Sequence, residues 1–221
     1  MKRNTLKSLV NFLINVLAPA TFEGVEQVPK EGGMILATNH FSRIDIPLLF
    51  INPARPDITA LVTDKYLDYP FLRWFTNTAE GIWLDRTKAD FKAFREASNV
   101  LKNDGCLAIA PEGTRSQTGV MIEGKPGSVL LAVKNQVPMV PVALMGTETM
   151  MANLKRFKRS RLTVRFGKPF MVPEMGRDNR DEILQETTTE IMCQIAALMP
   201  EKYHGFYDGH PRLKEILAEK A

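Results

Sequence analysis

Residues 33–51 read GMILATNHFSRIDIPLLFI. Gly33 to Ala37 is a short apolar run behind a turn-rich stretch, the pattern of a buried strand. Ile46 to Ile51 is a second apolar run that stops before Asn52-Pro53 and reads as a short helix. Between them lies the polar segment Asn39-His40-Phe-Ser-Arg-Ile-Asp45. A strand end feeding a helix is the recurring unit of this chain. Ile58–Val62, Gly81–Leu84 and Cys106–Ala110 read as further strands, and Val137–Leu144 as a strand broken by prolines. Arg161–Phe166 alternates and predicts a strand with one face toward water. Helices are expected over Tyr69–Phe75, with Pro70 in the first turn, over Lys88–Asn103, whose apolar residues fall on one face, and over Lys125–Lys134. A long helix is expected from Asp178 to Met199, capped by Asp178 or Asn179. Alternating strands and helices predict an α/β fold: a mostly parallel sheet flanked by helices. Ligands of such sheets sit beyond the carboxyl ends of the strands. Three polar clusters fall there: Asn39-His40 with Asp45, Asp85-Arg86, and Glu112-Gly-Thr-Arg115.

The chain has 221 residues, 44% apolar and 24% charged, which fits one globular domain and excludes a disordered or fibrous class. A net charge of +4 suits an anionic partner without identifying one. No zinc spacing, recognition helix or aromatic-basic RNA motif is present, so no nucleic-acid partner is expected. Cys106 and Cys193 are far apart in apolar surroundings and read as buried thiols, which fits a reducing compartment. The three histidines are scattered without metal spacing, so no metal is expected.

The N-terminus, MKRNTLKSLVNFLINVLAPA, has a basic start and an apolar stretch, as a secretory signal does. However, Asn4, Ser8, Asn11 and Asn15 recur at helical spacing as a polar stripe, with leucines, valines and Phe12 around the rest. A helix over Thr5–Leu17 is roughly 20 Å long, short of the ~30 Å hydrocarbon thickness. The expectation is an interfacial helix lying on an anionic membrane surface, with Lys2, Arg3 and Lys7 near lipid phosphates. A helix packed on the domain's own core and a cleaved signal are the alternatives.

His40 and Asp45 are five residues apart, a step that rotates about 140° on a regular helix. They meet only if His40 precedes the helix and the chain turns between them. Ser42-Arg-Ile-Asp45 resembles a capping box and supplies such a turn. Two readings are open at this point. Asp45 ties up helix amides and His40 ends a strand, or Asp45 orients His40 as a general base for a hydroxyl. No G-x-S-x-G is present, so the hydroxyl would be the substrate's. In Pro111-Glu-Gly-Thr-Arg-Ser116, Gly113 permits close backbone approach and Arg115 offers a fork suited to phosphate, while an ordinary surface turn has the same composition. Asp85-Arg86 adds a second guanidinium or is a surface ion pair. Phe71–Phe75 lines an apolar tunnel or is a plain core helix. The basic run Lys155–Arg159 with Arg161 meets anionic groups or is a solvated loop.

In chain order, H-x4-D (His40, Asp45), G-x-W-L-D-R (Gly81 to Arg86), P-E-G-T-R-S (Pro111 to Ser116) and V-P-M-V-P-V (Val137 to Val142) are specific together. They resemble the four-motif pattern of the glycerolipid acyltransferases, notably the 1-acylglycerol-3-phosphate (lysophosphatidate) acyltransferases, over about residues 25 to 170. Lys125-Pro-Gly127 looks like the family's downstream Lys-x-Gly; Trp83-Leu84 departs from its usual Phe with Ile or Val, which puts the acceptor pocket in question. The residues divide the chain into three parts: an amphipathic membrane-surface helix at residues 1–20, a domain at 21–200 that the resemblance makes an acyltransferase, and a tail helix at 201–221. The resemblance implies that His40 deprotonates the 2-hydroxyl of a lysophospholipid acceptor, which attacks an acyl thioester directly, and that Asp45 orients His40. Arg86, Glu112, Gly113, Thr114 and Arg115 would hold the acceptor's phosphate or glycerol, with Asn39, Asp85 and Lys125 as possible additions. Val137–Val142 would shape an apolar site, and amides near Gly113 would hold the oxyanion. The donor would be acyl-coenzyme A or acyl-carrier protein, with no cofactor, at the cytoplasmic face of the cell membrane. The alternatives are acyl transfer to glycerol-3-phosphate or another lysophospholipid, and a non-catalytic binder of anionic lipid.

Overall fold

The computed structural model describes residues 1–176 and 179–219. In chain order its elements are α1 (Arg3–Leu17), β1 (Ala20–Glu23), β2 (Met34–Thr38), α2 (Asp45–Phe50), β3 (Thr59–Thr63), α3 (Pro70–Thr78), β4 (Ile82–Leu84) and α4 (Phe91–Lys102). There follow β5 (Cys106–Ile109), α5 (Gly127–Asn135), β6 (Met139–Met145), α6 (Thr147–Lys155), β7 (Leu162–Phe166), α7 (Arg180–Ala196) and α8 (Pro211–Glu219). The seven strands form one sheet in the order β1-β7-β6-β2-β5-β3-β4. β6, β2, β5, β3 and β4 are parallel; β7 is antiparallel to β6, and β1 pairs parallel to β7. The mostly parallel sheet expected from the sequence is present, with two reversed strands at one edge.

Strand periodicity divides the core into two layers. Ile35 and Ala37 of β2 face α4, α5, α7 and α8, whereas Met34 and Leu36 face α1, α2 and α6. Both faces of the central strands are therefore apolar, which is why they read as continuous hydrophobic runs. The tail docks on the domain: Tyr203, Tyr207, Leu213 and Ile216 are buried in the α7 layer. Two elements carry no clear signal in the sequence, β1 and α6. α4 and α5 start two or more residues later than expected. α4 begins at Phe91 because Asp90 caps it, accepting from the Ala93 N–H at 2.9 Å, and α5 begins at Gly127. The N-cap of α7 is Asn179, and Asp178 lies outside the described residues.

The proline-bearing β6 has the form of an edge strand in the sequence, but it is fully buried between β2 and β7. The Met139 and Phe170 backbones exchange hydrogen bonds, and Gly167 donates to the Pro141 carbonyl. Pro141 thus turns its missing N–H toward the end of β7 and keeps its carbonyl paired, so the ladder to β2 is intact. A Cβ at Gly167 would lie 2.8 Å from the Pro141 ring, so only glycine passes here.

α1 serves both the core and the surface. Leu6, Val10 and Ile14 are buried against the domain, at roughly 1.5–3 kcal/mol each. The expectation that Arg3 and Lys7 face lipid phosphates is corrected. Arg3 donates to the carbonyls of Ala79 and Ile58, and Lys7 to that of Asn52, so both cations fasten the helix to the domain. Partial burial holds the Lys7 pKa below its usual value. Leu9, Phe12, Leu13, Val16 and Leu17 remain exposed.

Asn39, expected as a possible substrate contact, is fully buried and structural. Its Nδ2 donates to the Leu144 carbonyl at 2.9 Å and its Oδ1 accepts from the Leu144 N–H at 2.8 Å. It extends the β2–β6 ladder by one rung, next to His40. Asn39→Ala leaves both Leu144 groups buried without partners and is expected to cost about 2–4 kcal/mol in urea unfolding. Asn39→Asp, which lacks the donor, is expected to recover little of it.

Candidate active site

His40 follows the end of β2, and Asp45 opens α2. The chain turns between them, and His40 Nδ1 lies 2.8 Å from Asp45 Oδ2. The same oxygen accepts the N–H groups of Phe41 and Ser42, both at 2.8 Å. The capping box forms in half: Asp45 reaches back to the Ser42 amide, but the Ser42 hydroxyl accepts from Ile44 at 3.3 Å. Cap and dyad are thus one arrangement. Asp45 is buried, while the His40 side chain remains 23% exposed. With Nδ1 committed to the carboxylate, Nε2 is the atom available to take a proton.

The loop after β5, the neighbour of β2, closes on the His40 backbone. Its N–H donates to Glu112 Oε1 at 3.1 Å, and its carbonyl accepts from the Ser116 N–H at 2.9 Å. The expected role of Glu112 at the acceptor phosphate is corrected. The side chain is 1% exposed, points inward and holds the histidine's backbone. Burial, with a smaller contribution from the Asp45 charge, raises its pKa to about 8, and its Oε2 has no hydrogen-bond partner. Gly113 turns the loop with φ of 66°, and a Cβ there would crowd Lys125 at 3.3 Å. Its amide is spent on the Ala110 carbonyl, which removes it from the expected oxyanion donors.

The cations gather at the same rim. Arg86, beyond β4, reaches past the end of β3 and donates from Nη1 to the Gly113 carbonyl. The Lys125 amide donates to the Pro111 carbonyl, setting its side chain against Gly113. Arg115 is half-buried and Thr114 exposed in the same loop. Asp85 is not directed at a ligand: its Oδ1 accepts from the Thr87 amide and hydroxyl, which lowers its pKa, and its Oδ2 pairs with Lys88 at 3.2 Å. Arg43 carried no signal in the sequence beyond its place inside the His40–Asp45 loop. It is exposed beside His40, over the Tyr66 ring at 5.8 Å.

An apolar groove of about 350 Å³ opens at His40. Leu9, Leu13 and Leu17 of α1 line one side, and Phe71, Leu72, Trp74 and Phe75 of α3 the other, with His40 and Arg43 in the wall. The tunnel-lining alternative for Phe71–Phe75 fits this placement. Val137–Val142 do not line the groove, because β6 is a core strand. His204 is buried with Nε2 3.1 Å from the Met199 carbonyl, and His210 caps the Arg212 amide at 3.2 Å, so both have structural positions. No cluster able to hold a metal occurs among the described residues. Both cysteines are free and buried, their thiols pushed up to about 12 by burial.

Because Glu112 titrates near its ordinary value when unfolded but at about 8 when folded, the folded state holds the proton more tightly. Its contribution is fully present below the unfolded pKa and is lost as pH rises from about 4.5 to about 8. Glu112→Gln, which keeps the acceptor for the His40 amide, removes this dependence. Its stability relative to wild type is expected to climb across that interval and then level off in denaturant titrations, by an amount on the order of a few kcal/mol.

Residues 19–145 match the family model described as Acyltransferase. The 1-acyl-sn-glycerol-3-phosphate acyltransferase of Saccharomyces cerevisiae is 32% identical over 176 residues, 76% of this chain and 57% of that protein. The protein of the same name from Borreliella burgdorferi is 30% identical over 126 residues, 56% of this chain and 50% of that one. That from Limnanthes douglasii is 34% identical over 133 residues, 58% and 46% respectively. The chain thus spans about half the length of these relatives. Among solved structures, the 1-acyl-sn-glycerophosphate (LPA) acyltransferase PlsC from Thermotoga maritima is similar with a TM-score of 0.65 and 25% identity, over 86% of this chain and 79% of that one. The matched segment covers more than half of the chain and contains His40, Asp45, Arg86, Glu112 and Arg115. By that match, the chain belongs to the acyltransferase family.

Proposed function

We propose that the chain transfers a fatty acyl group from a thioester, acyl-coenzyme A or acyl-carrier protein, to the 2-hydroxyl of 1-acylglycerol-3-phosphate, giving phosphatidate. The observation that carries this reading is the 2.8 Å His40–Asp45 contact at the wall of an apolar groove, in a chain of this family. The acceptor hydroxyl gives its proton to His40 Nε2 as its oxygen attacks the thioester carbonyl. Asp45 keeps the imidazole in the right tautomer and stabilises the imidazolium. When the tetrahedral intermediate collapses, the C–S bond breaks and the thiolate takes the proton from Nε2. No acyl-enzyme forms. Arg86, Arg115 and Lys125 hold the acceptor's phosphate by charge-assisted hydrogen bonds, and the groove takes the donor's acyl chain.

The enzyme acts at the cytoplasmic face of the cell membrane as a peripheral or monotopic protein. No helix among the described residues is long and apolar enough to cross a membrane. The groove's lips on α1 and α3 carry the exposed Leu9, Leu13, Phe71 and Trp74. The cations Lys155, Arg156, Lys158 and Arg159 lie nearby, since Arg159 donates to the Asn15 carbonyl of α1. Apolar side chains beside a cationic loop suit an anionic bilayer surface. Two free thiols fit a reducing compartment.

The test is thiol release from acyl-coenzyme A or acyl-carrier protein with lysophosphatidate, using vesicle-bound protein. Turnover is expected with at least one donor; none with either sinks the proposal. His40→Ala and Asp45→Asn are expected to lower kcat by about 10²–10⁴-fold, with His40→Ala leaving the melting transition near wild type. A near-normal rate for His40→Ala means it is not the base. Deleting α1 would strip Leu6, Val10 and Ile14 from the core, so the membrane contact is better tested at its outer face. Phe12→Gln with Val16→Gln is expected to weaken sedimentation with anionic vesicles about tenfold or more while thermal stability holds.

A further inference from the structure

A second cleft, of about 240 Å³, lies between α4 and α5 on the sheet face opposite the groove at His40. The two spaces are separated by strand periodicity: Val62 of β3 faces the groove and Leu61 the cleft. Leu61, Leu84, Phe94, Ile109 and Leu131 make its walls hydrocarbon, and the small Ala93 and Ala97 leave the space open. Its mouth belongs to the cationic rim. Gly113 and Lys125 line it, and Arg86 is bonded to the Gly113 carbonyl. Asp90 is the acidic group there, and both its oxygens are spent, on the amides of Ala93 and Asp85. Ser128, in the first turn of α5, also lines the cleft, and its buried Oγ has no hydrogen-bond partner. A serine held in its rotamer by no hydrogen bond is free to turn to another staggered well and donate there.

The reaction proposed above, on which this inference rests, brings two amphiphiles to one imidazole, and each carries an alkyl chain. Hydrocarbon left in water is unfavourable, and the groove at His40 seats one chain. We propose that the α4–α5 cleft takes the alkyl chain of the lysophospholipid acceptor. The acceptor's phosphate sits at the mouth with Lys125 and Arg86, its ester carbonyl accepts from the Ser128 hydroxyl, and its free hydroxyl turns across the rim to His40. The donor's chain stays on the other face of the sheet. The cations separate the occupants: Lys125 and Arg86 stand together at the cleft's mouth for one phosphate, whereas the groove's cation, Arg43, lies over the Tyr66 ring.

Two variants test this with the full chain on vesicles. Ser128→Ala removes a hydroxyl with no partner, so the fold is expected to be undisturbed. It should lower kcat/KM about three- to tenfold for 1-acylglycerol-3-phosphate and leave the 1-O-alkyl ether analogue, which has no carbonyl, within about twofold. Equal losses for ester and ether, or no loss for either, overturn the proposal. Ala93→Phe fills the cleft. It should raise KM about tenfold or more for a palmitoyl acceptor relative to a hexanoyl acceptor, with the ranking of donor chain lengths unchanged. If it folds and shifts the donor ranking instead, the cleft belongs to the donor and the proposal falls; if it does not fold, the ester–ether comparison decides alone. Absence of turnover in the wild-type protein is a different result: it overturns the acyl-transfer reading and this inference together.

Discussion

One carboxylate oxygen organises the site. Asp45 Oδ2 accepts from His40 Nδ1 and from the amides of Phe41 and Ser42, all at 2.8 Å. Three donors converge on one buried acceptor only if the chain from His40 to Asp45 takes a single tight path. That path sets the start of α2, the direction of the imidazole and the nitrogen it offers. The neighbouring loop secures both sides of the same residue, since the His40 amide and carbonyl are bonded to Glu112 and Ser116. A carboxyl that burial keeps neutral up to a pH of about 8 can stand beside the Asp45 carboxylate without a second buried charge. The histidine is therefore held by its backbone and by one ring nitrogen, and its partly exposed side chain lines the groove.

The sheet separates two apolar spaces, one on each face. Side chains alternate across each strand, so the layer with α1, α2 and α3 and the layer with α4 and α5 cannot merge within the sheet. Each space reaches polar residues beyond the strand ends: His40 and Arg43 line the first, Gly113 and Lys125 the second. α1 belongs to the first space in two ways. One row of its side chains anchors it in the core, and another forms a lip of the groove. A helix so placed links the groove to whatever surface covers its exposed row.

The polar residues at strand ends show how far residue type alone can be read. Asn39, Glu112, Arg86 and Arg115 are all polar, and all follow apolar runs. Asn39 and Glu112 turn inward to satisfy backbone groups of Leu144 and His40, whereas Arg86 reaches across to the Gly113 carbonyl and Arg115 is half-buried. Sequence spacing does not carry this distinction, because it depends on which neighbouring strand leaves an unpaired amide or carbonyl within reach. Pro141 is a similar case. A proline in an apolar run reads as an edge, yet the end of β7 lets a central strand accommodate it. Arg3 and Lys7 read as free cations, but three carbonyls from two distant connections, before β3 and after α3, hold them.

The sequence by itself determined the α/β alternation, the mostly parallel sheet, the loops at its carboxyl end and the His40–Asp45 pair. Those features rest on local periodicity, on turn chemistry and on motif order, all of which are properties of short segments. Only the tertiary structure decided the strand order, the double duty of α1, the inward turn of Asn39 and Glu112, and the two apolar spaces on opposite faces. Each of these depends on groups far apart in the chain competing for one hydrogen-bond partner or one volume, and that competition is settled only when the layers pack.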